Sequence, residues 1–561
     1  MFNKKRTVLL VGFLIAAVFC IPFYSESLFC GLDLTFHLSR FDGMLSAMRD
    51  LQFPIAIYPD KNFGFGYASP LFYCDLFIFP AALLYAMNIP LIIVYKIYVF
   101  LIAWLGASAA LYAMNYFTKR SWLAVAGAIL FMFTSYHIND YFIRAALGEM
   151  LAFSILPLFP VVAERFFVEK KNNTIELALF FSALALSHLI TFALCAAVFA
   201  VLMIVYLPSL FRKGHLFSFL KAVLIGLSLC AFFLFPLLQQ MRSQTFLFAQ
   251  NRQLWGEEIM RTYSNTLLSA VSDFILLPRY ELEDHHYFVG LVVLISPFLF
   301  LLADKKDRRF PFFAVLTVIS LILFIATTDL IPLWKIPALQ SIQFTYRFNI
   351  LIATFLPFAM ILGLDHCSDK AVYVITAVLL GYTAANTNAI FRQLAFQEPQ
   401  LNNTETAEVL FNREFYENYN NYYNVSELSS GEYLPATHQM NYKELAHSVN
   451  IYDTTSPSVS YTRNGTKSVL KADCSSDGYA ALPLTWYLGY AAELTDSETP
   501  EALPITKEEY TGRIVLPLQA GDHTYRIYYK GTTIQKASLL YSFISLLVLA
   551  GYLMAKNIRS Q

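Results

Sequence analysis

Charged residues are scarce in this sequence of 561 residues, where Asp, Glu, Lys and Arg together make up 14%. Hydrophobic residues account for 57%, and the mean hydropathy is +0.50. Soluble domains are usually about 45–50% apolar, and they do not repeat apolar runs of about 20 residues along most of their length. The composition therefore argues against a soluble protein and predicts a polytopic membrane protein.

Other signatures are also missing, and each absence argues against a class of function. Lys+Arg and Asp+Glu both number 40 and no basic tract occurs, so nucleic acid is not an expected partner. None of the seven cysteines forms a CxxC pair, which argues against a structural zinc site. Neither a P-loop nor a dinucleotide-binding fingerprint is present. A domain that binds a nucleotide is therefore not expected.

Clusters of Lys and Arg mark cytoplasmic loops of membrane proteins. Here they lie at 4–6, 119–120, 170–171, 212–213, 305–309, 370 and 556–559. If all are inside, an even number of crossings separates neighbouring clusters. This parity predicts about twelve transmembrane helices with both termini in the cytoplasm, at 7–24, 91–117, 121–137, 149–168, two within 175–208, 217–237, 287–303, 310–328, 346–364, 371–388 and 537–555.

Two ambiguous segments are decided by the same parity. The aromatic-rich segment 70–89 is predicted to lie along the outer interface, so that the whole of 25–90 is external. The apolar run 175–208 is too long for one span of about 20 residues, and its polar break at Ser187 and His188 predicts an external hairpin turn. The first apolar run lacks a small-residue cleavage site and is interpreted as a retained span.

The predicted external segments are long and the cytoplasmic loops are short. Together with the change to a polar composition after residue 390, the predicted spans divide the chain into three regions. Residues 1–390 form the transmembrane domain with the external loop 25–90. Residues 391–536 are polar and carry alternating strand patterns around Asn464-Gly465, a strong hairpin signal, so we expect an extracytoplasmic antiparallel β-sandwich. Residues 537–561 form a C-terminal transmembrane helix and a short cytoplasmic tail. No cytoplasmic loop is long enough to form a nucleotide-binding domain, so chemistry is expected at the outer face, and a donor that reaches this face is most simply lipid-linked.

The first external loop carries the strongest candidates for catalysis. Asp33, His37 and Arg40 share one face of a helix because their spacings are four and three residues. A carboxylate beside an imidazole suits a general base that takes a proton from an acceptor hydroxyl. It equally suits two ligands of a divalent metal ion. A solvated helix with a local Asp–His contact is the structural alternative.

Arg40 is a candidate for substrate binding, with Asp33 and His37 as the catalytic pair, and four further residues are also candidates for substrate binding. Arg144 could hold a phosphate oxygen, and Glu149 could orient it or share the acceptor's proton. Arg347 lies among aromatic residues at the start of a predicted span and could bind a lipid phosphate. Anchoring of the helix at the membrane interface explains an arginine at this position as well. His188 is isolated among apolar residues, and a core histidine is its simplest interpretation.

Several motifs resemble a known family. They are GLDLTFHLSRFDGMLSAMRDLQFPIAIYPDKNFGFGYASPLFY, FIRAALGEMLAF, SHLITF and IQFTYRF. The chain resembles the bacterial polytopic proteins known as "6-pyruvoyl-tetrahydropterin synthase-related" and the YfhO-like membrane proteins, which belong with the GT-C glycosyltransferases. The resemblance covers most of the chain. Pterin synthase activity is not expected, because the zinc-binding histidine cluster of that soluble enzyme is not apparent.

The resemblance implies a GT-C arrangement, with interfacial helices, a polyprenyl-phosphate sugar donor and an acidic catalytic residue in the first external loop. Asp33 matches that residue. A second acidic residue in the next external loop would be Glu149 or Asp140. The resemblance thus predicts a glycosyltransferase of the cell membrane that moves a sugar to an extracytoplasmic glycan, polymer, glycolipid or protein acceptor. The alternatives are a non-catalytic protein that binds lipid-linked glycan or cell-wall polymer, and one that assists its export.

Overall fold

The computed structural model describes residues 5–211, 214–267, 269–270, 289–396, 400–406, 428, 431–436, 445–446, 448–456, 458–496 and 499–560. The basic pair predicted at 212–213 lies outside these residues. The chain divides into two compact units. The helical unit comprises Met1–Leu34, Tyr95–Leu227 and Leu254–Thr404, and the mixed unit comprises Thr35–Val94, Ser228–Gln253 and Glu405–Gln561.

Helices make up most of the described chain, because apolar residues with good helix propensity fill nearly every long segment before residue 396. The α-helices are α1 Lys5–Phe19, α2 Leu34–Arg49, α3 Ser69–Phe72, α4 Phe79–Ala86, α5 Leu91–Phe117, α6 Ser121–Met132, α7 Ser135–Asn139, α8 Leu147–Ile155, α9 Leu158–Phe167, α10 Thr174–Ser187, α11 Leu189–Val205, α12 Leu207–Leu210, α13 His215–Ser243, α14 Leu247–Thr262, α15 Leu291–Phe300, α16 Phe310–Ala326, α17 Asn349–Asp365, α18 Asp369–Phe396 and α19 Thr533–Ser560.

Shorter helical turns complete the list. In the part of the chain that the structure describes, 3₁₀ turns lie at Ile21–Tyr24, Leu76–Ile78, Leu333–Lys335, Leu339–Ile342 and Thr345–Phe348, and Asp140–Arg144 is a π-helix.

Five helices among the described residues are long and apolar enough to cross a membrane, or seven if each of two bent helix pairs is one span. These findings confirm a polytopic helical membrane protein, while the predicted number of twelve stays a prediction. Helix α5 has the predicted bounds of 91–117, and the run 175–208 breaks at His188 between α10 and α11, as the polar break indicated. Helix α18 continues to Phe396, beyond the predicted domain boundary at 390, since polar residues such as Arg392 are compatible with a helix.

Helix α17 forms the centre of the helical unit. Every residue from Asn349 to Leu364 is buried, and the helix packs against α6, α15 and α16. A helix that is apolar on all sides is stable only when its whole circumference is covered by protein or lipid. The first turn before this helix, Thr345–Phe348, is thereby fixed in position and carries Arg347.

The segment 70–89 contains no helix long enough to cross a membrane. It forms α3, a 3₁₀ turn and α4, and the apolar stretch from Leu76 to Ala86 is much shorter than the roughly 20 residues that a span needs. This agrees in length with the predicted interfacial helix. Its depth in the bilayer stays a prediction.

The strands of the described residues form three antiparallel groups. They are β1 Ser27–Phe29, β2 Gln400–Asn402, β3 Asn450–Tyr452, β4 Ser458–Asn464, β5 Lys467–Cys474, β6 Gly478–Thr485, β7 Tyr490–Leu494, β8 Glu501–Leu503, β9 Thr506–Lys507, β10 Arg513–Leu518 and β11 Gly521–Tyr529. Strands β1 and β2 pair in the helical unit. In the mixed unit one sheet has the order β3-β6-β10-β9 and the other the order β4-β5-β11-β7-β8. A separate β region before the last helix, as predicted, is confirmed.

The sequence signal at Asn464-Gly465 does mark a hairpin. Strands β4 and β5 pair with Asn464 opposite Lys467, so the two loop residues are Gly465 and Thr466. Gly465 has a φ of +63°, which fits a two-residue hairpin loop with glycine at its first position. Asp50 fixes this turn, because its Oδ2 accepts hydrogen bonds from the Thr466 backbone N–H at 2.9 Å and from the Thr466 hydroxyl at 2.6 Å.

Candidate functional site

Asp33 is held by backbone hydrogen bonds to the segment that carries Arg144. The backbone N–H groups of Leu32 and Asp33 donate to the carbonyl oxygens of Ile143 and Arg144, at 3.0 and 2.8 Å. The preceding Gly31 permits this close approach, since a Cβ at that position would lie 2.7 Å from the Ile143 oxygen. The loop before α2 and the loop after α7 are therefore joined at Asp33, the residue that the sequence indicated for catalysis.

The segment before α8 turns the chain so that Arg144 faces Glu149. The helical pair α6 and α7 with its π-helix is bent by 50°, and the π-helix Asp140–Arg144 ends at Ala145, which has a left-handed φ of +54°. Such π-helices and left-handed residues are uncommon and often occur at functional sites. Helix α8 then begins at Leu147 and places Glu149 in its first turn.

Glu149 lies at the centre of a buried ion cluster. Its two carboxylate oxygens accept hydrogen bonds from Arg144, at 2.7 Å from Nη1 and 3.1 Å from Nη2. Arg347 adds a third bond, from Nε at 3.1 Å. The side chains of Glu149 and Arg144 are 2% and 3% exposed, so the charge of Arg144 is balanced mainly by protein carboxylates and little by water.

Arg347 is the more accessible of the two arginines. Its Nη1 donates to the Ile342 carbonyl oxygen at 2.8 Å and to Gln343 Oε1 at 2.6 Å, and its guanidinium lies 4.9 Å from the centre of the Phe344 ring. The side chain is 11% exposed. Within the described part of the chain its Nη2 has no hydrogen-bond partner. That nitrogen can therefore donate to a ligand without breaking an existing bond.

Tyr136 and Asp140 also belong to the cluster, and Tyr136 is not among the site residues that the sequence predicts. The Tyr136 hydroxyl donates to Glu149 Oε2 at 3.1 Å and lies 3.3 Å from Arg144 Nη1. Asp140 Oδ1 accepts from Arg144 Nη1 at 3.0 Å, while its Oδ2 is buried without a hydrogen-bond partner among the described residues. Tyr136 stands eight residues before Arg144, a spacing that no short motif reveals.

His188 also interacts with this cluster. It separates α10 from α11 with an extended backbone, and its Nδ1 lies 2.8 Å from the Thr191 hydroxyl. Its imidazole interacts electrostatically with Glu149, Arg144 and Arg347. Four of the predicted site residues, Arg144, Glu149, His188 and Arg347, thus lie in one cluster of the helical unit, and Asp33 is electrostatically coupled to three of them.

Asp33 differs from the other carboxylates of the cluster. It is partly exposed, and among the described residues its carboxylate has neither a hydrogen-bond partner nor an ion-pair partner. The protein that surrounds the carboxyl displaces water, and this burial raises the pKa of Asp33; the charges of Arg144 and Arg347 act against the rise. An accessible carboxylate with a raised pKa can accept a proton from a bound hydroxyl.

His37 and Arg40 belong to the mixed unit, where Arg40 forms a buried ion pair. Arg40 Nη2 lies 2.6 Å from Asp75 Oδ1, and the Tyr58 hydroxyl donates to the other oxygen of Asp75. Arg40 Nη1 lies 3.3 Å from His37 Nδ1, and the guanidinium covers the Tyr73 ring at 4.0 Å. Both His37 and Arg40 are 2% exposed.

Asp33 and His37 are also the two residues that could be ligands of a divalent metal ion. Across the residues that the structure describes, no group of three or more His, Cys, Asp and Glu side chains could hold a metal ion. The two residues belong to different units, and their joint catalytic role stays a prediction.

Comparison with known proteins places the chain in a family. Residues 69–394 match the model of the 6-pyruvoyl-tetrahydropterin synthase related domain, which describes a membrane protein. A protein of Lactococcus lactis subsp. cremoris (strain MG1363), named only "Uncharacterized protein", is 24% identical over 355 residues, or 60% of this chain and 55% of that protein. The chain thus spans little more than half the length of this relative. No solved structure matches significantly.

The family match contains the two motifs around Glu149 and Arg347 and covers more than half of the described site. It agrees with the resemblance that the sequence motifs indicated. The chain belongs to the 6-pyruvoyl-tetrahydropterin synthase related family of membrane proteins.

Proposed function

We propose that this protein is a GT-C-type membrane glycosyltransferase that transfers a sugar from a polyprenyl-phosphate donor to an extracytoplasmic acceptor. The observation that carries the proposal is Asp33, a partly exposed carboxylate without a hydrogen-bond partner in the described chain, coupled to two arginines. Structural carboxylates in a low-dielectric environment are normally paired. An unpaired one beside cationic groups suits a site where an anionic substrate and a proton donor are bound together.

In this reaction Asp33 is the general base. The acceptor hydroxyl gives its proton to the Asp33 carboxylate as its oxygen attacks the anomeric carbon of the donor sugar. The bond between that carbon and the phosphate oxygen breaks, and polyprenyl phosphate leaves with the electron pair. The raised pKa of Asp33 makes its carboxylate a stronger base than an ordinary aspartate, and activity requires its ionised form.

Arg347 binds the donor phosphate through the unused Nη2, and the leaving phosphate gains negative charge as the bond breaks. A guanidinium that is already fixed in a water-poor site stabilises such developing charge strongly. Arg144 uses its Nη groups on Glu149, Asp140 and Tyr136, so it supports the site by orienting Glu149 and adding positive potential. His188 interacts electrostatically with Glu149, Arg144 and Arg347 and so contributes to the charge balance of the cluster.

The site is proposed to lie at the outer interface. This follows from the predicted topology of about twelve spans with cytoplasmic termini, in which the loops of Asp33, Arg144, His188 and Arg347 all fall outside. The same topology places the β region outside as a sandwich. A lipid-linked donor suits this location because the cytoplasmic loops are too short to form a nucleotide-sugar domain.

The test is the Asp33→Asn variant, purified in lipid nanodiscs and assayed for transfer of radiolabelled sugar from polyprenyl phosphate. Because a general base contributes about 10²–10⁴-fold to the rate, we expect a loss of at least about 100-fold. Asp329→Asn is the matched control, since Asp329 is an exposed aspartate of the same unit. Full activity of Asp33→Asn at normal expression would falsify the assignment.

A non-catalytic function in binding lipid-linked glycan or assisting its export is the second candidate. Glu149 forms ion pairs with both Arg144 and Arg347. This pairing favours the non-catalytic function, because a buried ion cluster can also be purely structural. Under that function Asp33→Asn leaves export of the glycan unchanged in cells, and wild-type protein releases no polyprenyl phosphate in the transfer assay.

A further inference from the structure

The mixed unit contains a groove of about 610 Å³ between strand β4 and the loop Tyr58–Tyr67. Its volume is in the range of pockets that bind small molecules or part of a polymer. We propose that this groove binds a carbohydrate chain, the glycan part of the acceptor. Only the identification of this glycan as the acceptor rests on the proposed function, whereas binding itself does not.

One wall of the groove is a single face of an edge strand. Val459, Tyr461 and Arg463 line it, and because side chains alternate along a strand, residues two apart point to the same side. Strand β4 lies at one edge of its sheet. This wall therefore presents the side chains of β4, whereas a peptide that adds as a new strand would bind the backbone edge of the strand, so the wall favours a sugar chain.

The opposite wall is a closed loop that presents an aromatic ring. Tyr58 and Tyr67 exchange backbone hydrogen bonds at 2.9 and 3.1 Å and close the loop. Between them Asn62 and Phe63 have left-handed φ values of +57° and +54°, which are rare for a residue as bulky as Phe. Phe63 is held 38% exposed at the groove. A fixed, exposed ring can stack on the apolar face of a sugar.

A hydrogen-bond acceptor and a hydrogen-bond donor also line the groove that contains this ring. Asp60 lines the groove, is 41% exposed, and has one oxygen 3.4 Å from Lys61 Nζ. Arg463 donates from Nε to the Gly465 carbonyl oxygen at 2.8 Å and from Nη2 to the Pro59 carbonyl oxygen at 2.9 Å, which joins the two walls. Its Nη1 has no hydrogen-bond partner in the described chain. Sugar hydroxyls can donate to the Asp60 carboxylate and accept from the Arg463 guanidinium. The apolar face of a sugar ring can stack on Phe63.

The groove is also fixed before any ligand binds. Asp50 accepts two hydrogen bonds from Thr466 and so ties the end of α2 to the β4–β5 turn. The Thr485 backbone N–H donates to the Phe65 carbonyl oxygen at 2.9 Å and ties the loop to strand β6. Preorganised walls lower the entropy cost of binding a flexible chain.

The experiment uses the full-length protein in nanodiscs without any sugar donor. End-labelled hexasaccharides of glucose, galactose, mannose, rhamnose or N-acetylglucosamine are titrated and followed by fluorescence anisotropy, next to a labelled pool of random decapeptides. We expect at least one hexasaccharide to bind, and Phe63→Ala and Asp60→Asn each to raise its Kd about tenfold. Tyr510→Ala and Glu509→Gln, exposed residues outside the groove, are the matched controls and leave the Kd unchanged.

Each other outcome overturns the inference. The groove is not a carbohydrate site if no hexasaccharide binds, if groove and control variants bind alike, or if only the peptide pool responds to Phe63→Ala. The two proposals fail separately. Saccharide binding without any transfer by wild-type protein contradicts the enzyme alone, whereas transfer with an acceptor KM unaffected by the groove variants contradicts the groove alone.

Discussion

Glu149 and Arg144 form a bidentate ion pair, with Arg144 Nη1 2.7 Å from Oε2 and Nη2 3.1 Å from Oε1 of the glutamate. The pair lies almost wholly inside the helical unit. Arg347 shares the same carboxylate from a position 198 residues further along the chain. One buried carboxylate thus fixes two guanidinium groups, and both interact with Asp33.

Replacing that carboxylate should destabilise the protein strongly. In Glu149→Gln the buried Arg144 loses its bidentate partner, and breaking a buried pair costs about 3–5 kcal/mol because an uncompensated charge remains. The measurement is denaturant unfolding of the purified protein in detergent, followed by tryptophan fluorescence. Glu257→Gln, an exposed glutamate of the same unit, should change the free energy of unfolding by less than about 0.5 kcal/mol. Equal stabilities of the two variants would show that the cluster is not held by this pair.

Arg347→Lys should weaken donor binding in particular. Lysine keeps the positive charge but lacks the planar fork that leaves one nitrogen free for the phosphate. A hydrogen bond between charged groups contributes about 1.5–3 kcal/mol, so we expect the KM for the polyprenyl-phosphate sugar to rise about 10–100-fold. Steady-state kinetics with both substrates varied provide the measurement, and Arg392→Lys, an exposed arginine, is the control. A change confined to the acceptor KM contradicts a phosphate contact.

Local patterns were sufficient to predict some elements of this fold. The break at His188, the bounds of α5 and the hairpin at Gly465 each depend on residues close in sequence. The partners within the site do not, because Tyr136, Glu149 and Arg347 meet through tertiary packing. The sequence predicts Arg144, Glu149 and Arg347 on the same side of the membrane and allows Glu149 to orient Arg144, but it indicates no contact of either residue with Arg347.

Arg40 illustrates the same limit in the mixed unit. Its position on a helix in a charged loop indicated a substrate contact, and nothing local to it revealed Asp75, 35 residues later, as its buried partner. A charged residue that contacts substrate and one that forms an internal pair have the same sequence pattern. Its role in substrate binding stays a prediction.

A structural role of the Arg40–Asp75 pair can be separated from substrate binding. Arg40→Met leaves Asp75 buried without its cation, and we expect about 3–5 kcal/mol lower stability. The double variant Arg40→Met with Asp75→Leu should recover part of this loss, because no buried charge is left unpaired. Thermal unfolding measures both, and transfer per folded molecule should equal that of wild type. A well-folded double variant without activity would instead indicate that Arg40 contacts substrate.

His523 should make the β region more stable at acidic than at alkaline pH. Its Nδ1 lies 2.5 Å from Asp496 Oδ2 and its Nε2 2.9 Å from the Ala520 carbonyl oxygen, so both nitrogens donate only when the ring is protonated. The hydrogen bond to Asp496 raises the pKa of His523 above its ordinary value of 6.5. Its folded pKa therefore exceeds its unfolded pKa, and the stabilisation is complete below about pH 6.5 and is lost as pH rises through the folded pKa.

The pKa of His523 can be measured by NMR titration of histidine-labelled full-length protein, with His523→Gln to assign the signal. Asp496→Asn should return the pKa of His523 towards 6.5 and flatten the pH dependence of unfolding above that pH. Asp453→Asn, an exposed aspartate of the same unit that makes no contact with His523, should leave the titration as it is in the wild type. A titration that is identical in wild type and Asp496→Asn would mean that the ion pair does not form in solution, since a carboxylate at hydrogen-bond distance must favour the charged imidazolium.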